Sequence, residues 1–449
     1  MFIFTSEFKT KLSNILRVMV PIFITQVAIM GMNFSDTVMS GQAGTDDLAG
    51  VAIGANIWMP VFTGINGLLL ALTPIVAHLR GGKRNEEIGP TVFNGMVLGV
   101  GVSVAVITLG CFFLNNILDT MTLTPVVRSI ATKYLIAIAT GMIPLFLTNI
   151  LRAFVDTMGY TQMTMRLFVM TLPVNVVMNY IFIFGKFGMP RMGGVGAGVG
   201  SAITYTLLFI SYVLLIHKLP VLKAFKLFQW YGIQGKRIKE HLAVGIPMGT
   251  SIFCETSIFG VVALFISRFG TEAVAGHQAA INFTSLLYML PLSFSLGLTI
   301  IIGVEVGARR LEEARRYAKT GRIANLILAA GFAVLLYTCR SYVAALYSAD
   351  EHIIGLISKF LFYGVAFQFC DSTAAPIQGV LRGYKDVKST FYSSLVAYWV
   401  ISLPAGLALD RVFKQGPFGY WQGLIIGIFF SALFLSLRLR YIERKTAEA

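Results

Sequence analysis

Charge is what this sequence has least of. Only 13% of its 449 residues are Asp, Glu, Lys or Arg, against 56% hydrophobic, where a soluble domain carries about a quarter charged. So few charges cannot coat a water-facing surface of that size. A soluble globular protein is excluded, and with it a disordered chain, a collagen and a coiled coil. Cysteine is scarce as well. Cys111, Cys254, Cys339 and Cys370 lie in or at the ends of apolar stretches without CxxC spacing, which argues against a disulfide framework or a zinc site. There is no GxxxxGK(S/T) phosphate loop, so direct ATP drive has no support, and no GxSxG or HExxH string. No small-residue cleavage site follows the first apolar run, which therefore reads as a retained membrane span and not a signal peptide.

What is present is a series of long apolar runs. A membrane helix needs about 20 mostly apolar residues, and twelve such runs are expected: 15–40, 50–78, 91–116, 131–152, 163–185, 194–216, 242–267, 275–304, 318–340, 354–380, 389–409 and 418–437. They are continuous, unlike the alternating segments of about ten residues that build an outer-membrane barrel. The fold class is an all-α polytopic membrane protein. The formal charge of +15 does not point to nucleic acid, because the basic residues lie between the apolar runs. Three quarters of the Lys and Arg fall in the two tails and in alternate loops, including 217–241 and the stretch Arg309–Arg322. The positive-inside bias then places both termini and the central loop in the cytoplasm, with the chain in the cytoplasmic (inner) membrane.

The sequence also repeats itself in a single register, the one that sets Pro21 on Pro247. In that register Gly44, Thr45, Ala49 and Gly50 fall on Gly270, Thr271, Ala275 and Gly276, and Asn56 falls on Asn282. Gly81, Arg84, Glu86, Glu87 and Gly95 fall on Gly307, Arg310, Glu312, Glu313 and Gly321 without a gap. Each half holds six spans, so both enter the membrane in the same direction. This predicts two six-helix lobes, 1–216 and 242–449, joined by the cytoplasmic linker 217–241 and related by a pseudo-twofold axis along the membrane normal. Paired lobes of this kind commonly serve alternating access, with substrate bound between them.

Three acids lie inside apolar runs: Asp36, Glu255 and Asp371. An Asp at a helix centre costs about 2.5–3.5 kcal/mol on insertion scales, so such positions are functional candidates by default. No lysine or arginine is expected inside a span to match them. Glu255 follows Cys254 and Asp371 follows Cys370. Neighbouring helical side chains diverge by about 100°, so a soft-metal site from each pair is disfavoured. Glu255 and Asp371 from different spans suit one hard cation such as Na⁺, or one shared proton. Asn175 and Asn179 share a face of the fifth span, and Asn33 lies three residues before Asp36 on the first. Pro21, about four turns before Asp36, is expected to kink the first span. His277 near a span end is more often a packing residue than a ligand. Phe34, Trp58, Met59, Phe62, Tyr288, Met289, Phe294 and Phe367 are candidates to line a broad cavity.

At this point the residues resemble a known family. The first-span string NFSDTVMSG, the stretch AVAGHQAAINFTSLLYMLP and the string LTIIIGVEVGARRLEEA look like the multidrug and toxic compound extrusion (MATE) transporters. The string GIPMGTSIFCETSIFG and the tenth-span acid resemble the NorM-like branch. The resemblance implies a cation-coupled antiporter, not an enzyme, that exports amphipathic organic cations without a bound cofactor and acts as a monomer. It places Asp36, Asn175 and Asn179, with Thr204 as a further ligand, around a polar cavity in the first lobe, and makes the bend at Pro21 a gate. Some NorM-like members carry a tyrosine where this chain has Phe367, one turn before Asp371. That position offers no oxygen here and leaves the choice between Na⁺ and H⁺ open. A flippase for lipid-linked precursors is the alternative within the same superfamily. It is disfavoured because the basic residues sit in cytoplasmic loops and not in a cavity. An intramembrane aspartyl protease is disfavoured by the SD and CD contexts of Asp36 and Asp371, and a simple channel by the duplicated lobes.

Overall fold

The computed structural model describes residues 6–121 and 123–447. Among them it is helical throughout. The first half comprises α1 (Ser6–Ala43), α2 (Thr45–Leu70), α3 (Leu72–Gly81), α4 (Ile88–Asp119), α5 (Pro125–Thr157), α6 (Thr161–Phe184) and α7 (Gly194–Lys218), then the short α8 (Pro220–Lys223). The second half comprises α9 (Gly235–Ile266), α10 (Thr271–Gly307), α11 (Leu311–Ala345), α12 (Glu351–Gly383), α13 (Val387–Ser394), α14 (Leu403–Arg411) and α15 (Pro417–Ala447). Counting α2 with α3, and α13 with α14, gives 12 helices long and apolar enough to cross a membrane. The helices run past the apolar runs that mark them. The first spans Ser6–Ala43 and the ninth Leu311–Ala345, because their polar ends continue the helix beyond the apolar residues. A π-helical stretch, Leu395–Ser402, joins α13 to α14.

The repeat is visible in the backbone. The turns after α3 and α10 place Lys83 and Arg309, which are repeat-equivalent, in the left-handed region at φ 57° and 59°. Packing, however, divides the chain at other points than the linker. One compact unit is Ile24–Gly249, and the other is Met1–Phe23 with Thr250–Ala449. The two cuts, before Ile24 and before Thr250, are again repeat-equivalent, each just past the proline inside α1 or α9. The start of α1 therefore packs among the C-terminal spans. Ile15 and Met19 join a core with Phe294 and Leu298, Lys11 pairs with Glu313, and Asn14 donates to the Tyr317 hydroxyl at 3.0 Å. The start of α9 packs in the same way within Ile24–Gly249. Arg237 reaches Glu87 at 3.7 Å and donates to Thr91 at 2.7 Å, and a His241 ring nitrogen lies 3.1 Å from the Leu68 carbonyl. Lys11 with Glu313 and Arg237 with Glu87 occupy repeat-equivalent positions.

Within Ile24–Gly249, α5 is the most enclosed span and α4 the least, with 61% and 11% of their apolar windows buried. Val104, Leu109, Phe112 and Phe113 on α4 face outward, as lipid-solvated side chains should. In the other unit α10 is the most enclosed, with Phe294 and Leu298 fully buried.

Candidate functional site

The acid of the first half is fully engaged. Asp36 is buried on α1. Asn179 Nδ2 of α6 donates to Asp36 Oδ1 at 2.6 Å, and Ser201 of α7 donates to Oδ2 at 2.9 Å. Asn179 Nδ2 also reaches Asn175 Oδ1 at 3.3 Å. Tyr134 and Tyr205 lie within electrostatic reach of the carboxylate. Gly200 allows α7 to come this close to α6. A Cβ there would sit 2.6 Å from Asn179 Oδ1.

Two expected members of this cluster are placed differently. Asn33 is exposed, and no hydrogen bond of its side chain is found among the described residues. Thr204 is buried but donates back to its own helix at the Gly200 carbonyl, 2.7 Å away. Ser201 takes the expected place instead. Serine is unremarkable in composition, and only the register of α7 against α1 singles it out.

The acids of the second half share one lobe. Glu255 lies on α9 beyond Pro247, and its Oε1 accepts three hydrogen bonds. They come from Gln378 Nε2 of α12 at 2.8 Å, from Ser394 at the end of α13 at 2.6 Å and from Ser251 one turn earlier at 3.3 Å. Ser394 adjoins the π-helical stretch, a backbone irregularity often found at functional sites. Asp371 is 8% exposed, and among the described residues nothing donates to its carboxylate. Glu255 belongs to the same unit. No cluster of three or more His, Cys, Asp or Glu occurs among the described residues. The oxygens available in this unit are two carboxylates, one held by two serine hydroxyls and an amide and one without a donor, a set that suits a proton or an alkali cation.

Two bases beside the apolar runs are helical and stand close to polar partners. Arg382 is no loop residue. It sits in the last turn of α12, 4% exposed, and donates to Gln378 Oε1 at 3.2 Å. Arg152 is likewise inside α5, 3.5 Å from the buried Asp156. Both lie next to span ends, where a sequence reading draws the boundary too early. Polar residues at Asp371, Gln378 and Arg382 are spaced seven and eleven apart, hence on one face of α12; that spacing was the available signal.

The aromatic candidates divide. Phe34 is 70% exposed. Tyr288 and Met289 are half-buried. Phe367 is buried, its ring packed edge-on against Phe259 at 5.8 Å and Trp421 at 6.4 Å. His277 is a packing residue. It is fully buried, and its Nδ1 accepts from Trp421 Nε1 at 3.0 Å.

The MatE family model matches twice, over residues 21–181 and 247–407. The two matches start and end at repeat-equivalent positions. A probable multidrug resistance protein NorM from Halalkalibacterium halodurans is 46% identical over 446 residues, covering 99% of this chain and 97% of that protein. Another of the same name from Geobacillus kaustophilus is 47% identical, covering 95% and 94%. Among solved structures, the eukaryotic MATE transporter AtDTX14 superposes with a TM-score of 0.86 at 19% identity, covering 99% of both chains.

Proposed function

The chain belongs to the MatE family, a multi-pass membrane protein and multidrug efflux transporter, and from that premise we propose that Glu255, Asp371 and Asp36 couple drug export to cation entry. Glu255 and Asp371 form the coupling-cation site, taking Na⁺ or H⁺ as co-substrate; Asp36, with Asn175, Asn179 and Ser201, forms a second polar cavity. The observation that carries this reading is Asp371, a nearly buried carboxylate with no donor among the described residues, in the same unit as a second acid, Glu255. An ionised carboxylate in a low-dielectric setting is costly unless it holds a proton, a cation or a partner.

Alternating access then follows from competition. Facing outward, the acids take the external cation and release the amphipathic organic cation. Facing inward, the cation leaves and drug enters. Linkage requires each ligand to weaken the other. The driving force is adequate, at about 2.3 kcal/mol per charge per 100 mV plus about 1.4 kcal/mol per tenfold concentration ratio. The transporter acts as a monomer in the cytoplasmic membrane, with both termini and the 217–241 linker inside. Pro21 and Pro247 are the points where α1 and α9 bend during the cycle.

The test is transport of a fluorescent organic cation in proteoliposomes with Na⁺ and pH gradients imposed separately. One of the two should drive efflux. Transport indifferent to both would leave a facilitator or a lipid-precursor flippase as the better reading.

A further inference from the structure

The two halves carry the same three-residue relay with its charges permuted. In the first half, Arg152 Nη2 on α5 donates to Gln26 Oε1 on α1 at 3.0 Å, and Asp156 Oδ2 stands behind it, 3.5 Å from Arg152 Nε. In the second half, Gln378 Nε2 on α12 donates to Glu255 Oε1 on α9 at 2.8 Å, and Arg382 stands behind it, donating to Gln378 Oε1 at 3.2 Å. In the register of the repeat Arg152 falls on Gln378, and Asp156 falls on Arg382. Both acceptors lie on the helix segment that follows the repeated proline. One scaffold therefore reads acid, base, neutral acceptor in the first half. It reads base, neutral donor, acid in the second.

We propose that Arg382 is a positioning residue for cation exchange, acting through Gln378 on Glu255; the inference rests on the reading of Glu255 as part of the coupling site. A side-chain amide has one donor end and one acceptor end, and a guanidinium can only donate. By holding Gln378 Oε1, Arg382 turns Nε2 toward the carboxylate. A flipped amide would present oxygen to oxygen. Arg382 and Gln378 are 4% and 5% exposed, and Arg382 Nε has no partner among the described residues, so water does not screen the pair.

The interposed amide also keeps acid and base apart. In the first half Arg152 and Asp156 meet directly and neutralise each other. In the second half the base offsets the charge of Glu255 at one remove, without occupying it as a salt bridge would. Glu255 stays charged enough to bind a cation and compensated enough to release it. Removing either relay member should tighten cation binding and slow release.

The experiment measures efflux in proteoliposomes against the concentration of whichever cation drives the wild type. In Arg382→Met the half-saturating concentration should fall by about threefold to tenfold, the size of one buried charge acting at a distance, and the maximal rate should fall with it. Arg382→Lys, which keeps charge and donor, should restore the wild-type half-saturation. Gln378→Met, which leaves Arg382 in place, should shift in the same direction and carries the test if Arg382→Met does not insert. Gln26→Met, at the acceptor end of the first-half relay, should leave half-saturation unchanged. Glu255→Gln separates the two failures. Cation dependence that survives Glu255→Gln sinks the site reading. Dependence lost in Glu255→Gln but unshifted in Arg382→Met and Gln378→Met overturns the relay, as does a shift in Gln26→Met of equal size.

Discussion

The two halves of this chain were built to one plan and then equipped differently. In the register of the repeat, Asp36 falls on Val262, Glu255 on Ile29, and Asp371 on Leu145; Asn175 and Asn179 fall on Ile401 and Ala405. No intramembrane acid is duplicated. What is duplicated is scaffold: the prolines at 21 and 247, the left-handed turn residues Lys83 and Arg309, and the tethers of Lys11 to Glu313 and Arg237 to Glu87. Duplication supplied two lobes on a common plan. Divergence then placed one acid with a donor on each oxygen and two in a lobe where one of them has none. A carboxylate with both oxygens bonded is satisfied as it stands. A buried carboxylate without donors calls for a cation.

The largest expected effect breaks the comparison at that point. Asp371→Asn removes the charge and keeps the shape. Efflux of a fluorescent organic cation should fall at least about tenfold, while expression and insertion stay near normal because the neutral side chain is cheaper to place in the membrane. Glu255→Gln should behave alike. Efflux still coupled to the cation gradient in both variants would remove the second-half site.

Asp36→Asn sharpens the contrast and should do less. Asn179 and Ser201 can rotate to satisfy an amide as they satisfy a carboxylate, so the helices stay packed. Maximal efflux should drop severalfold while half-saturation for the driving cation moves by less than about twofold, since linkage through a separate site changes populations more than intrinsic affinity. A half-saturation shift as large as that of Asp371→Asn would mean that one cation is shared by the acids of both halves.

How much of this was legible beforehand follows from periodicity and cost. Twelve spans, the duplication and the three acids were readable, because apolar length, glycine and charge at fixed spacing, and an acid in lipid are each improbable by chance. The partners were not. Ser201, Ser251 and Ser394 look like any membrane serine until three helices set their register. Thr204 and Asn33 had suitable chemistry on the wrong face. Arg382 lies just past the apolar run 354–380, where a base reads as the end of a span, whereas α12 continues as buried helix to Gly383. The unit boundaries were hidden for a related reason: α1 and α9 are continuous in sequence, and only packing shows that each changes company just past its proline.

A third effect is structural. Gly200→Val should push α7 off α6, since even a Cβ at Gly200 would lie 2.6 Å from Asn179 Oδ1. Overpacking of this kind costs about 1–3 kcal/mol. The midpoint of thermal unfolding in detergent should drop by several degrees and Asp36-dependent efflux should fall with it. Gly101→Val is the control. It lies on the outward α4 with nothing near its Cβ, and it should unfold like the wild type. Equal midpoints for both variants would mean that the contact at Asn179 is not tight.

The smallest effect tests whether the duplicated tethers are independent. Glu313 holds Lys11 within the unit of the C-terminal spans, and Glu87 holds Arg237 within Ile24–Gly249. Glu87 and Arg237 are 35% and 21% exposed as side chains, so Glu87→Gln should cost only about 0.5–1 kcal/mol, while Lys11 is 8% exposed, so Glu313→Gln should cost about 1–3 kcal/mol. Each leaves a base with other support: Lys11 lies over the Tyr317 ring at 4.5 Å, and Arg237 keeps Thr91 and Gln234. Because the pairs belong to separate units, the double variant should be additive within about 0.3–0.5 kcal/mol. Thermal unfolding of the two single variants and the double gives the coupling directly. A coupling above about 1 kcal/mol would show that the starts of α1 and α9 answer to each other, and that packing divides the molecule less cleanly than its repeat.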